Sequence, residues 1–324
     1  MKLPSLPLLA LTLCAACVQP PPLMPDPYLR GGAERVPQTA EEVAAVGDEI
    51  VACGQRFSTG VPVVLWSDPG GYDAYKGYVP GGAVEARGFR PGRRAQPSRG
   101  APPVPPDADD PAQLTPAVDQ FVLHYDVCGL SSVCFRVLEE RGLSVHFLLD
   151  LDGTIYQTMD LRDTGWHATK ANTRSVGVEI AQVGARGPDD TAALEDWYSR
   201  DAHGLYVDVP PRFGDGDLRV RDYVGRPARP THFTGTINGS RLVQYDFTDE
   251  QYESLIALTR TLVEVLPAMR PQVPRDGAGK VEMDKLPDAE YEAFSGILGH
   301  NHVQLNKTDP GPAFDWERLV RGLR

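Results

Sequence analysis

Basic residues are in short supply: 32 lysines and arginines stand against 44 aspartates and glutamates, a formal net charge of −12 over 324 residues. No basic stripe offsets that deficit, so a nucleic-acid binder, which needs clustered cations to neutralise phosphates, is excluded. Electrostatic binding to an anionic membrane surface is excluded on the same ground. Long apolar runs are missing beyond the first residues, so no membrane-spanning helix is expected in the body of the chain. Cysteine is sparse, five in all, with Cys14 and Cys17 near the start. Of the rest, Cys128 and Cys134 are six residues apart, a spacing that can form a bridge in an exported protein. Cys53 is left over as a buried thiol.

What is present begins with an export signal over residues 1–16. Lys2 gives a positive start, Leu6 to Leu13 an apolar stretch, and Ala15-Ala16 small residues before Cys17. Leu13-Cys14-Ala15-Ala16-Cys17 resembles a bacterial lipobox, with Cys17 as the lipidated mature N-terminus and Cys14 where Leu is preferred. The expected location is therefore the periplasmic face of the outer membrane, touched only through the lipid. An ordinary cleaved signal, giving a soluble periplasmic or secreted protein, is the alternative. Residues 17–117 are expected to be a tether, Pro-rich from Gln19 to Pro27, and a poorly defined extension. Within it, Val43, Val46, Ile50 and Val51 have helical spacing over Glu41–Cys53, and Val63–Trp66 could be a short strand. Gly81–Pro116 reads as linker.

The compact part is expected over residues 118–324. Phe121 to Tyr125 has strand character. Ser131 and Ser132 can cap a helix that Gly142 stops, and Asp152-Gly153 joins two strand-like runs. Ser175–Ala181 alternates, with Val176, Val178 and Ile180 on one face and Glu179 on the other. A long insertion runs from about residue 184 to 246. Thr248 caps an amphipathic helix through Leu255 and Leu262, and a final helix follows Pro312. Strands and helices are mixed, so the predicted class is α/β, with a single mixed central sheet flanked by helices.

Chemistry concentrates near the C-terminus, in Gly299-His300-Asn301-His302 and Lys307-Thr308-Asp309-Pro310-Gly311. This is poor core material and good material for a metal site with a charged helper. One histidine and one aspartate are too few for a catalytic zinc, which takes three protein ligands plus water, so a ligand must come from elsewhere. His124 ends an apolar strand, a rigid place from which to present one, although taken alone it reads better as a structural histidine. Glu179 puts a charge into a Val-Gly-Val-Glu-Ile strand, where it needs solvent or a purpose. His167 follows a loop, beside a substrate or simply solvated.

These motifs occur in order: Phe121-Val122-Leu123-His124-Tyr125, Val145–Asp150 with Asp152–Gln157, Gly165-Trp166-His167-Ala168, Ser175–Glu179, and Gly299-His300 leading to Lys307–Pro312. Together they resemble the type 2 N-acetylmuramoyl-L-alanine amidases, zinc enzymes that share the fold of the peptidoglycan recognition proteins. The resemblance covers roughly Gln120 to the C-terminus without the insertion. It implies Zn2+ held by His124, His300 and Asp309, Glu179 as general base, Lys307 facing the developing oxyanion, and His167 in contact with substrate. The substrate implied is peptidoglycan or a muropeptide, cut between the lactyl group of N-acetylmuramic acid and L-alanine by a monomer. It also implies a Cys128–Cys134 disulfide. The span from His300 to Lys307 is one residue shorter than the family pattern, which leaves His302 as a competing ligand. The insertion has no counterpart there, and reads as a surface excursion or a groove wall with His232 and Tyr223. A non-catalytic muropeptide-binding module of the same fold is the alternative function. A zinc peptidase of another kind is disfavoured, because the short motif His-Glu-x-x-His is absent.

Overall fold

The computed structural model describes residues 46–76, 92–94, 104–105 and 107–324. The expected signal, Cys17 and the tether lie outside these residues. At the centre is a seven-stranded sheet in the order β1 (Gly47–Ala52), β2 (Gln55–Leu65), β6 (Ile155–Gln157), β5 (Phe147–Leu149), β8 (Ser175–Ile180), β4 (Gln120–Tyr125) and β13 (Gly296–Gly299). It is mixed: the pairs β5–β8, β8–β4, β4–β13 and β2–β6 are parallel, while β1–β2 and β5–β6 are antiparallel. The α/β class read from the sequence is the one observed.

Alternation along the strands decides which face is which. Phe121 and Leu123 of β4 and Val176, Val178 and Ile180 of β8 belong to one apolar cluster with Leu255, Leu258 and Leu262 of the helix Asp249–Val265. Burying each such side chain contributes about 1.5–3 kcal/mol. That helix starts where expected: Thr248 Oγ1 accepts from Gln251 N at 3.1 Å, and the Gln251 side chain accepts from Thr248 N at 3.0 Å. The opposite face carries Val122, His124, Gly177 and Glu179. The helix Ser131–Arg141 covers part of it, setting Cys134 and Leu138 against Leu148 and Tyr156. Its cap differs from expectation, because Leu130 is the N-cap and no side chain bonds there, whereas Gly142 stops it with φ 62° as expected.

The largest correction concerns the front third. Gly47–Ala52 is a strand rather than part of a helix, and β2 extends back to Gln55. Ile50 and Val51 are β-branched, and Cys53 (φ 51°) and Gly54 (φ 75°) make a two-residue hairpin turn that a helix cannot contain. Gln157 ties the hairpin to the sheet, donating to Val51 O and accepting from Val51 N, both at 2.7 Å. The sheet therefore begins well before residue 118. Elsewhere β3 (Gly92–Arg93) pairs with β7 (Asp163–Thr164). The 184–246 insertion contains the helix Ala192–Trp197, the hairpin β9 (Tyr198–Asp201)–β10 (Gly204–Val207) and the hairpin β11 (Phe233–Ile237)–β12 (Ser240–Gln244). Among the described residues, no helix is long and apolar enough to cross a membrane.

Candidate metal centre

Three neighbouring parallel strands, β8, β4 and β13, end at one edge of the sheet, where open α/β sheets gather ligands. His124 and Glu179 stand opposite each other in register near the ends of β4 and β8, so their side chains leave the same face. β13 delivers the chain to His300, which opens the one-turn helix His300–Val303. The chain then loops back to Asp309, and Asn301 N donates to Asp309 O at 3.0 Å, closing the loop.

Asp309 Oδ2 lies 2.8 Å from His124 Nδ1 and 3.1 Å from His300 Nδ1. One donor atom from each of the three buried residues lies within 4.8 Å of the others. Two imidazoles and a carboxylate converging at that distance could hold a metal ion, and the donor set suits a borderline cation. The protonation states agree. Burial, aided by His300, pushes His124 down to about 4, so its ring is neutral and can offer a lone pair. Burial alone would raise Asp309, but the His300 and His124 rings beside it hold its carboxyl well below the usual range. It is therefore a full anion.

The far side of each ring is also occupied. His124 Nε2 faces His167 Nδ1 at 3.0 Å, and His300 Nε2 faces Gln304 Oε1 at 2.6 Å. With the proton on Nε2, each ring donates outward and presents a bare Nδ1 inward, an arrangement that fixes tautomer and orientation together. His167, expected beside substrate, packs against His124, with its Nε2 3.3 Å from Ser175 Oγ. Asn172 Oδ1 accepts from the N–H groups of His167 and Ala168. Burial, then the neighbouring His124, pushes His167 well below the usual histidine value. Neither Gln304 nor Asn172 was singled out in the sequence, because a lone amide carries no local pattern.

His302 points away. Residues two apart on a helical turn diverge by about 200°, and His302 Nδ1 accepts from Gly299 N at 2.8 Å while Nε2 bonds Glu282 O at 2.7 Å. With both nitrogens used, the geometry gives it no access to Asp309. Glu179 is raised well above the usual carboxyl value by burial, then by Asp309 and Asp126. Lys307 is close enough for its charge to act on both Glu179 and His124. A buried carboxyl and a lysine thus flank the His-His-Asp cluster.

The expected Cys128–Cys134 bridge is not formed: both are free thiols, hydrogen-bonded to each other. That contact and burial push the Cys134 thiol well up, disfavouring the thiolate that oxidation requires. Cys53 is buried, as expected, and its thiol is pushed up to about 12 by burial. Of the two candidate groove residues, Tyr223 bonds Leu151 O and Glu250 Oε2, while His232 is exposed and stands edge-on to Tyr245. Neither joins the His-His-Asp cluster.

Residues 114–208 match the family model described as N-acetylmuramoyl-L-alanine amidase. In sequence, the chain is 36% identical over 74 residues to the 1,6-anhydro-N-acetylmuramyl-L-alanine amidase AmpD of Enterobacter cloacae, a stretch covering 22% of this chain and 27% of that protein. The chain thus spans about a quarter of the length of the curated relatives it matches. Among solved structures, a selenomethionine derivative of AmpD has a TM-score of 0.33 at 17% identity, covering 75% of this chain and 99% of that one. The N-acetylmuramyl-L-alanine amidase AmiD from E. coli, in complex with anhydro-N-acetylmuramic acid-L-Ala-D-gamma-Glu-L-Lys, has a TM-score of 0.37 at 15% identity, covering 63% and 57%. At these TM-scores the structural likenesses decide nothing about the site.

Proposed function

We propose that the chain is a zinc-dependent hydrolase of the type 2 N-acetylmuramoyl-L-alanine amidase family, whose model residues 114–208 match. It cuts the amide between the lactyl group of N-acetylmuramic acid and L-alanine, in peptidoglycan or in muropeptides released from it. The observation that carries this reading is the buried convergence of His124, His300 and Asp309 beside Glu179, with His124 and Glu179 inside the matched residues 114–208 and His300 and Asp309 outside them. His124, His300 and Asp309 would hold the zinc. Zinc bound there supplies Lewis acidity, which makes a water more acidic and polarises the scissile carbonyl.

The protein's own groups do the rest. Glu179, whose raised proton affinity suits it to accept, takes a proton from the attacking water and later gives it to the departing amine. The water oxygen bonds to the lactyl carbonyl carbon, the C–N bond breaks, and a carboxylate and the free amine of L-alanine result. Lys307 offers its ammonium to the carbonyl oxygen as negative charge develops there. His167 and Gln304 hold the two imidazoles in the orientation this requires. Digestion of purified peptidoglycan and of anhydro-muropeptides by zinc-loaded protein, with products identified by mass, tests the proposal. Free stem peptide is the expected product, and its absence from both substrates would reject the reading in favour of a muropeptide-binding module.

A further inference from the structure

The insertion was expected to be a surface excursion or a groove wall, and one part of it is bonded to the loop that bears the candidate ligands. The hairpin β11–β12 turns at Asn238-Gly239, both with positive φ (51° and 79°), the geometry of a tight two-residue turn. Its tip reaches the 300–309 segment. Asn238 Nδ2 lies 2.7 Å from Lys307 O, 3.0 Å from Asn301 O and 3.3 Å from Gln304 O. A one-turn helix leaves carbonyls without intrahelical partners, and here an amide from a distant part of the chain meets one of them, Asn301 O, and two carbonyls of the loop that follows. The same side chain accepts from Lys285 N at 2.7 Å through Oδ1, so both ends of the amide are fixed.

The foot of the hairpin holds the other end of the loop. Gln244, fully buried, donates to Pro310 O at 3.0 Å and to Gln182 Oε1 at 2.6 Å, and accepts from Ala313 N at 3.0 Å. Gln182 lies just beyond β8, the strand of Glu179, so this chain of amides ties that strand end to the loop. Contact is close: a Cβ on Gly235 would fall 2.7 Å from Pro312 Cβ, and one on Gly311 would fall 2.1 Å from Gln244 Oε1. The backbone on both sides of Asp309 is therefore held by the insertion.

We propose that the hairpin Phe233–Gln244 is a positioning device for the ligand loop, with Asn238 and Gln244 fixing the backbone that presents His300, Lys307 and Asp309. The inference rests on reading that loop as zinc-holding.

The test uses the full chain with Asn238→Gly and Asn238→Asp. Both residues tolerate the left-handed turn, while neither retains the NH2 group. Zinc affinity is read by chelator competition, kcat and KM by muropeptide cleavage, and loop order by hydrogen exchange of metal-free protein. Arg226→Ala, which removes the Arg226–Asp201 pair beside the other hairpin, is the control and is expected to match wild type. In both Asn238 variants the zinc Kd should rise about tenfold or more. Their kcat should fall by about tenfold or more with KM little changed, and exchange across 301–307 should quicken while native circular dichroism is retained. Zinc affinity, kcat and exchange within twofold of wild type would overturn the proposal. So would equal losses in Arg226→Ala, or losses seen only where the native signal is gone. Wild-type protein that binds no zinc would refute the amidase reading instead, and the metal-free exchange comparison would still decide the role of the hairpin.

Discussion

Gly177 is the position where one methyl group should tell most about the site. It lies in β8 two residues before Glu179, on the face that carries the cluster. A Cβ built there would sit 2.5 Å from His167 Cε1, 2.6 Å from Nδ1 and 2.8 Å from Nε2. Its φ is not in the left-handed region, so the backbone accepts alanine, and the three atoms nearest the new methyl all belong to the ring. The ring cannot yield without cost, because it is held 3.0 Å from His124 Nε2 and 3.3 Å from Ser175 Oγ. Gly177→Ala should therefore cost about 1–3 kcal/mol of stability as overpacking. Displacing the partner of a ligand histidine should also raise the zinc Kd about 10–100-fold. Combining it with His167→Ala separates the two effects. If the methyl acts through the ring, removing the ring removes the clash, and the double variant should bind zinc as His167→Ala does, within about twofold. The measurements are chelator competition for zinc and urea unfolding of the metal-free protein. Wild-type zinc affinity in Gly177→Ala, or losses that add in full in the double variant, would refute the role given to His167.

Glu179→Gln should leave a folded, zinc-binding protein whose turnover falls by about 10²-fold or more; near-wild-type cleavage of muropeptide would remove Glu179 as the base. His300→Ala should abolish stoichiometric zinc while His302→Ala keeps it. The His302 change should still cost about 1–3 kcal/mol in urea unfolding, because it orphans Gly299 N and Glu282 O; the opposite metal result would reverse the assignment. His146 supplies a pH test. It is fully buried, accepts from Gly177 N and bonds Asp163 O, and burial, then Arg94, pushes it down to about 3. Its unfolded value is higher, so the unfolded chain takes up the proton first and stability is lost as pH falls from about 6.5. The loss should reach about 3 kcal/mol by pH 4, and an unchanged pH slope in His146→Gln would contradict it. Export should be visible as lipid on Cys17, and Cys128 and Cys134 should both remain free thiols; mass spectrometry of the mature chain checks both.

Sequence and structure agree where local pattern decides the outcome. β4 and β8 could be read from alternation, the 249–265 helix from its Thr248 cap, and the turn at Asp152-Gly153 from its dipeptide. His124, Glu179 and the 300–309 run stood out because their chemistry is costly in a core. The front hairpin was not legible, since Val46, Ile50 and Val51 satisfy a helical period as well as they fill a strand. What settles it is the tertiary bond from Gln157, more than a hundred residues away.

The same distinction explains why the ligands were easier to find than their supports. A metal-binding imidazole or carboxylate must be a particular residue type, so few candidates exist in a chain with seven histidines. An outer partner need only present one donor or acceptor at the right place, and any Asn, Gln or backbone group will serve. Gln304, Asn172, Asn238 and Gln244 are therefore ordinary in sequence and specific only in space. Asn238-Gly239 did offer one clue, as a hairpin dipeptide between the short mixed runs Phe233–Ile237 and Ser240–Gln244, but a turn signal says nothing of what the turn touches. His300 and His302 make the point from the other side. They are equivalent by composition and two residues apart, yet one turn of helix sends the first to Asp309 and the second to Glu282 O.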